Sequence, residues 1–130
     1  IRMESPRDRR PIFLNLLQIR WPIGAIASIG HRISGVILAL ALPFLVAAFE
    51  RSLNSELAYH QMLLVLRSPL GTGATLILCL ALIYHILAGI RHLLMDVDIG
   101  SLLPAARKTA WVVLASGAIA AAILFAGLWS

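Results

Sequence analysis

Apolar residues along the chain gather into three long runs separated by polar connections. They cover Ile33 to Phe49, Pro69 to Ile90 and Thr109 to Trp129, each near the roughly 20 residues a helix needs to cross a bilayer. The first run can begin within protein as early as Ile23. The pattern therefore predicts helices over about 23–50, 68–95 and 104–129. Trp21-Pro22 opens the first of them, with the indole at headgroup depth and the proline starting the helix. Pro43 is expected to bend it, a break that membranes tolerate where neighbouring helices re-satisfy the backbone. Within the connection from Glu50 to Arg67, Glu56 to Leu66 carries the apolar spacing of a short interfacial helix. Ser68-Pro69 then supplies a cap and a first helical position. The third run is rich in small residues (Ala115, Gly117, Ala118, Ala121, Ala122), which permit close helix packing in lipid. Trp111 and Trp129 stand near its ends, where an aromatic belt would place them.

Residues 1–22 differ from all of this. They are polar, basic and interrupted by Pro6 and Pro11, and read as an extended arm that either lies on anionic lipid or docks on a soluble partner. An arm of this kind has no early apolar core, so no cleavable signal peptide is expected. No internal repeat or interdomain linker is visible. The expectation is one all-α membrane-anchor domain over 1–130, with three transmembrane helices.

Composition agrees with the pattern. Of 130 residues, 60% are hydrophobic and only 13% charged, and the mean hydropathy is +0.90, far too apolar for a soluble domain of this size. The net charge of +5 raises the question of nucleic acid, but its distribution answers it. With three crossings, Arg2, Arg7, Arg9, Arg10, Arg20, Arg32, Arg91, Arg107 and Lys108 share one side, and only Arg51 and Arg67 face the other. The positive-inside bias makes the first side, with the N-terminus, cytoplasmic, or matrix-facing in an organelle. Topology accounts for the charge, and no nucleic-acid partner is implied. The single cysteine, Cys79, excludes a disulfide within the chain and thioether attachment of haem through C-x-x-C-H.

The chemistry concentrates in L-I-Y-H-I-L-A-G-I-R-H-L-L-M-D, Leu82 to Asp96. No charged residue occurs from Ser68 to Ile90, yet His85 sits inside that run. At helical spacing His85, Gly89, His92 and Asp96 form one stripe. Gly89 leaves a gap one turn from the imidazole, where something flat and bulky could lie. Arg91 and His92 follow where the segment is expected to meet water. An ionisable group at this depth is costly without a partner, and the candidate partner is a metal or haem iron. The bland alternative is a buried neutral histidine bonded to a helix carbonyl. Proton relay in a transporter is a third reading, but three short helices without a broken pair leave little to alternate between. No second histidine is expected at matching depth on another helix, so a six-coordinate haem would take its other ligand from a partner subunit. His60, in the connection, is read as solvated.

A second polar cluster lies in P-I-G-A-I-A-S-I-G-H-R-I-S-G, Pro22 to Gly35. Ser28 and Arg32 are one turn apart and His31 adjoins them. Arg32 either snorkels to headgroups or, with the Ser28 hydroxyl, offers donors to a small oxygen-rich ligand. Antiparallel packing of the first two spans would bring His31 and Arg32 to the same side as Arg91 and His92, a cationic setting suited to haem propionates.

Arg10-Pro11, I-R-W-P-I-G-A-I-A-S-I-G-H-R-I-S-G from Ile19 and Y-H-I-L-A-G-I-R-H-L-L-M-D from Tyr84 resemble the cytochrome b membrane-anchor family of succinate dehydrogenase, of bacterial type. The resemblance covers nearly the whole chain, and Gly30 stands where many relatives carry a larger residue. It implies a complex in the bacterial inner membrane with a flavoprotein, an iron–sulfur subunit and a second hydrophobic anchor, the anchors forming a heteromeric helix bundle that binds haem b and reduces ubiquinone. By position, His85 matches the axial haem ligand, with the second ligand from the partner anchor. Ser28 and Arg32 match the quinone pocket, where Ser28 donates to a quinone oxygen. His31, Arg32 and His92 match the propionate surroundings. An anchor of fumarate reductase, or a haem-free structural anchor, would carry much of the same pattern. Flavin and succinate sites belong elsewhere, since the chain has no dinucleotide fingerprint and no cysteine cluster.

Overall fold

The computed structural model describes residues 21–127; the basic arm up to Arg20, and Trp129, lie outside the described residues. Four helices follow in order: α1 (Ile23–Leu53), α2 (Glu56–Arg67), α3 (Pro69–Asp96) and α4 (Leu103–Gly127). Among the described residues there is no strand. α1, α3 and α4 are, among the described residues, the three helices long and apolar enough to cross a membrane. Their 31, 28 and 25 residues correspond to about 46, 42 and 37 Å of rise, more than the roughly 30 Å hydrocarbon layer. Pro43 lies inside α1 without ending it.

Corners are made by short-range chemistry. The Ser55 side chain accepts from the Ala58 N–H (3.1 Å) to start α2. Ser68 closes α2 and opens α3 at once. Its N–H donates to the carbonyls of Leu64 and Val65, while its Oγ accepts from the Gly71 N–H at 3.1 Å. The bend is so tight that a side chain at Gly71 would collide with the Val65 carbonyl. At the far end of α3 the Ile99 N–H reaches back to the Leu94 carbonyl (2.8 Å) and the Asp98 N–H to Met95 (3.1 Å). That is a Schellman ending, with Asp98 at φ 60° in the position glycine usually takes.

α3 is the central element: it packs along both α1 and α4, and α1 also meets α4. The seams are built from small side chains. Ala27, Ala88 and Ala110 are completely buried, and Ala81, Val113 and Gly117 are also buried. Large residues such as Val36, Leu40, Phe44, Ile77, Ile86 and Ile119 face outward. In water this would be an inverted protein. In lipid it is the expected arrangement, because acyl chains solvate leucine as well as leucine does and association rests on close backbone approach.

Candidate functional site

α1 and α3 place their polar residues on one shared seam, near the start of α1 and the end of α3. His85 of α3 faces Ser34 and Gly35 of α1: a Cβ built on Gly35 would lie 3.0 Å from His85 Cε1. Its Nδ1 is 3.1 Å from the His31 carbonyl oxygen and 3.1 Å from Ser34 Oγ. The Ser34 hydroxyl itself donates to the same carbonyl at 2.9 Å. A carbonyl only accepts, so His85 carries its hydrogen on Nδ1 and keeps the lone pair on Nε2.

His92 repeats this logic two turns on. Its Nδ1–H donates to the Ala88 carbonyl at 2.7 Å, and the lone pair on Nε2 faces Ser28 Oγ at 3.4 Å. The His31 ring lies between the two. It stacks on His85 with centroids 4.2 Å apart and on His92 at 5.0 Å. The gap expected at Gly89 is where this ring sits, since a Cβ there would be 3.3 Å from His31 Nε2.

Two expectations are corrected here. His31 does lie level with His85 on another helix. The rings stack within 16° of parallel, however, whereas two axial ligands must aim nitrogens at one iron from opposite sides. Nor does Arg91 meet water. Only 7% exposed, it donates from Nε to Thr109 Oγ1 (3.1 Å) and from a terminal nitrogen to the Ala106 carbonyl (3.1 Å), tying α3 to α4. It falls on the face of α3 turned to α4, and its terminal nitrogen also approaches α1, 3.7 Å from a Cβ built on Gly24. No carboxylate pairs with it among the described residues.

Of the other predicted residues, Ser28 is half-buried on the seam. Arg32 is exposed and makes no hydrogen bond or ion pair among the described residues. His60 is on the surface beside Glu56 (3.9 Å) and apart from the site. Sequence reasoning missed Tyr84, whose hydroxyl donates to the Ala27 carbonyl at 3.2 Å and whose ring lies against Gly30 and Gly117. It also missed the hydrogen bond that His85 Nδ1–H shares with Ser34 Oγ. The available signal was a serine and glycine, Ser34-Gly35, one residue beyond His31-Arg32.

Among the described residues no cluster of His, Cys, Asp or Glu is arranged to hold a bare metal ion. A haem asks for something different: one imidazole with its far N–H anchored and its other nitrogen free. The carbonyl-held Nδ1 of His85 meets that requirement, and the exposed guanidinium of Arg32, next to His31 in the chain, suits anionic propionates. The residues present fit the group.

Three apolar spans with a histidine trio in the seam between two of them define a multi-pass membrane protein whose polar machinery lies near one end of its helix bundle. The chain belongs to the succinate dehydrogenase/fumarate reductase transmembrane subunit family, which matches residues 6–125. It is 38% identical over 122 residues to the succinate dehydrogenase cytochrome b556 subunit of Coxiella burnetii (strain RSA 493 / Nine Mile phase I), covering 93% of this chain and 96% of that one. It is 34% identical over 122 residues to the subunit of the same name from Paracoccus denitrificans, covering 91% and 90%. It is thus a membrane-anchor subunit of a multi-subunit oxidoreductase.

Proposed function

We propose that this chain is the haem b- and ubiquinone-binding anchor of a bacterial succinate dehydrogenase, set in the inner membrane with its N-terminal side cytoplasmic. A flavoprotein, an iron–sulfur subunit and a second hydrophobic anchor complete the complex, and the partner anchor would supply a second protein ligand to the haem. The observation that carries this reading is the tautomer of His85. With Nδ1–H donated to the His31 carbonyl, Nε2 is the nitrogen that would bind iron. The similarity to two cytochrome b556 subunits supports it independently.

When bound, haem supplies a one-electron redox centre. The rest is the work of side chains. Ser34 and the His31 carbonyl together hold the His85 ring against rotation. Arg32 and His31 would face the propionates, with His92 part of their surroundings. Ser28 offers a hydrogen bond to a quinone oxygen, and Arg32 opposes the negative charge that grows there as electrons arrive from the iron–sulfur subunit.

The test is the absorption spectrum of the purified, reduced complex. His85→Ala is expected to abolish or strongly weaken the b-type haem bands, and His60→Ala to leave them intact. Equal loss in both variants, or no haem bands in the unsubstituted complex, would refute the ligand assignment and leave a bare structural anchor.

A further inference from the structure

Ser28 has one hydroxyl hydrogen, and the geometry already gives it an acceptor: Nε2 of His92, at 3.4 Å. If that were the whole story, Ser28 could not also donate to a quinone. His92 resolves the conflict, because its other nitrogen is fixed. Nδ1–H is held by the Ala88 carbonyl at 2.7 Å, a short bond within the turn of α3 that leaves Nε2 as the only position able to gain or lose a proton. Nothing in the haem reading requires such a pairing with Ser28.

We propose that His92 is the second link of a proton relay, delivering one of the two protons of quinone reduction through the Ser28 hydroxyl. The inference rests on placing the quinone at Ser28, as above. In the charged state Nε2–H of His92 donates to Ser28 Oγ, which turns the serine hydrogen toward the quinone oxygen. As that oxygen gains negative charge from the incoming electrons, the Ser28 O–H bond breaks and the quinol O–H bond forms. The Nε2–H bond of His92 breaks in the same movement and renews the serine hydroxyl. What remains is neutral His92 with its hydrogen on Nδ1, Ser28 donating to Nε2, and a quinol hydroxyl donating to Ser28 Oγ. The first two of these are the arrangement described here. Water from the basic side restores the proton on His92, while the second quinol proton arrives by another route. The His31 ring, stacked on His92 at 5.0 Å, belongs to the opposite helix and fixes the imidazole plane without entering the chain of bonds.

The experiment uses the purified, assembled complex and ubiquinone, with rates expressed per unit of succinate oxidised by an artificial acceptor so that a loss of quinone reduction is separated from a loss of succinate oxidation. His92→Gln keeps an oxygen acceptor for Ser28 but carries no transferable proton. It is expected to lower kcat for quinone reduction on the order of 100-fold, the lower end of what a positioned acid contributes, with KM for quinone little changed. The solvent deuterium effect on kcat should rise with it. Ser28→Ala with His92→Gln should be no slower than the worse single variant, as expected of residues acting as a unit. A His92→Gln enzyme with unchanged kcat, or with KM alone altered, overturns the relay. If Ser28→Ala also reduces quinone normally, the fault lies in placing the quinone there. If Ser28→Ala is slow while His92→Gln is not, the relay alone fails.

Discussion

Tyr84 is wedged between α1 and α4, and the wedge can be tested by adding one methyl group. A Cβ built on Gly30 would stand 2.7 Å from the Tyr84 hydroxyl oxygen, 2.8 Å from Cε1 and 2.9 Å from Cζ. Each distance falls about 0.5–0.7 Å short of ordinary carbon contact, and all three atoms belong to one rigid ring. The ring cannot simply swing aside. Its hydroxyl is tied to the Ala27 carbonyl (3.2 Å), and behind it a Cβ on Gly117 would already be 3.0 Å from Cδ2. Gly30→Ala must therefore push α1 off α3, and overpacking of this kind costs about 1–3 kcal/mol. The shift also lengthens the 3.4 Å approach of Ser28 to His92, so quinone reduction should fall along with stability. The assay is the unfolding midpoint of the detergent-solubilised complex for Gly30→Ala, Tyr84→Leu and the double variant. Leucine removes the clashing ring atoms, so the alanine should cost far less in that background. An unchanged midpoint for Gly30→Ala alone, or the same loss with and without Tyr84, would refute the reasoning.

Further outcomes follow from the polar residues. Ser28→Ala should slow ubiquinone reduction several-fold or more, a missing donor being worth about 1–3 kcal/mol, while succinate oxidation by an artificial acceptor survives. Arg32→Leu should be slower still, because its charge matters most as the quinone becomes anionic; unchanged quinone reduction in both would move the site off α1. Thr109→Val keeps the shape but leaves the Nε–H of buried Arg91 without its acceptor, and should lower the unfolding midpoint by the equivalent of about 1–3 kcal/mol; Arg91→Met should remove most of that sensitivity, as a double-mutant cycle would read.

The spans were legible because burial in lipid is recorded residue by residue: long uncharged runs have one physical meaning at this length. α2 was legible from its apolar spacing, and His85 because an imidazole in such a run has no bland surface explanation. Arg91 misled for the same reason. A cation closing an apolar run looks like the water boundary, and only the approach of Thr109, eighteen residues on, shows that it is solvated by protein instead. Tyr84 with Gly30 and Ser34 with His85 join positions more than fifty residues apart. Each partner alone is an ordinary helix residue, and no local pattern announces the pair. The histidine stack was half legible: spacing put His85 and His92 on one stripe, but nothing in the sequence says that His31 stands between them.

The seams of alanine and glycine divide the chain into two mutational regimes. On outward positions such as Leu40, Phe44 and Ile86, one bulky apolar residue serves as well as another, and neutral drift among Leu, Ile, Val and Phe should run freely. At Ala27, Ala88 and Ala110, with no exposed surface at all, every heavier side chain must separate two helices. A saturation-mutagenesis map should therefore invert the usual rule for proteins, with large hydrophobic residues replaceable and the smallest ones fixed.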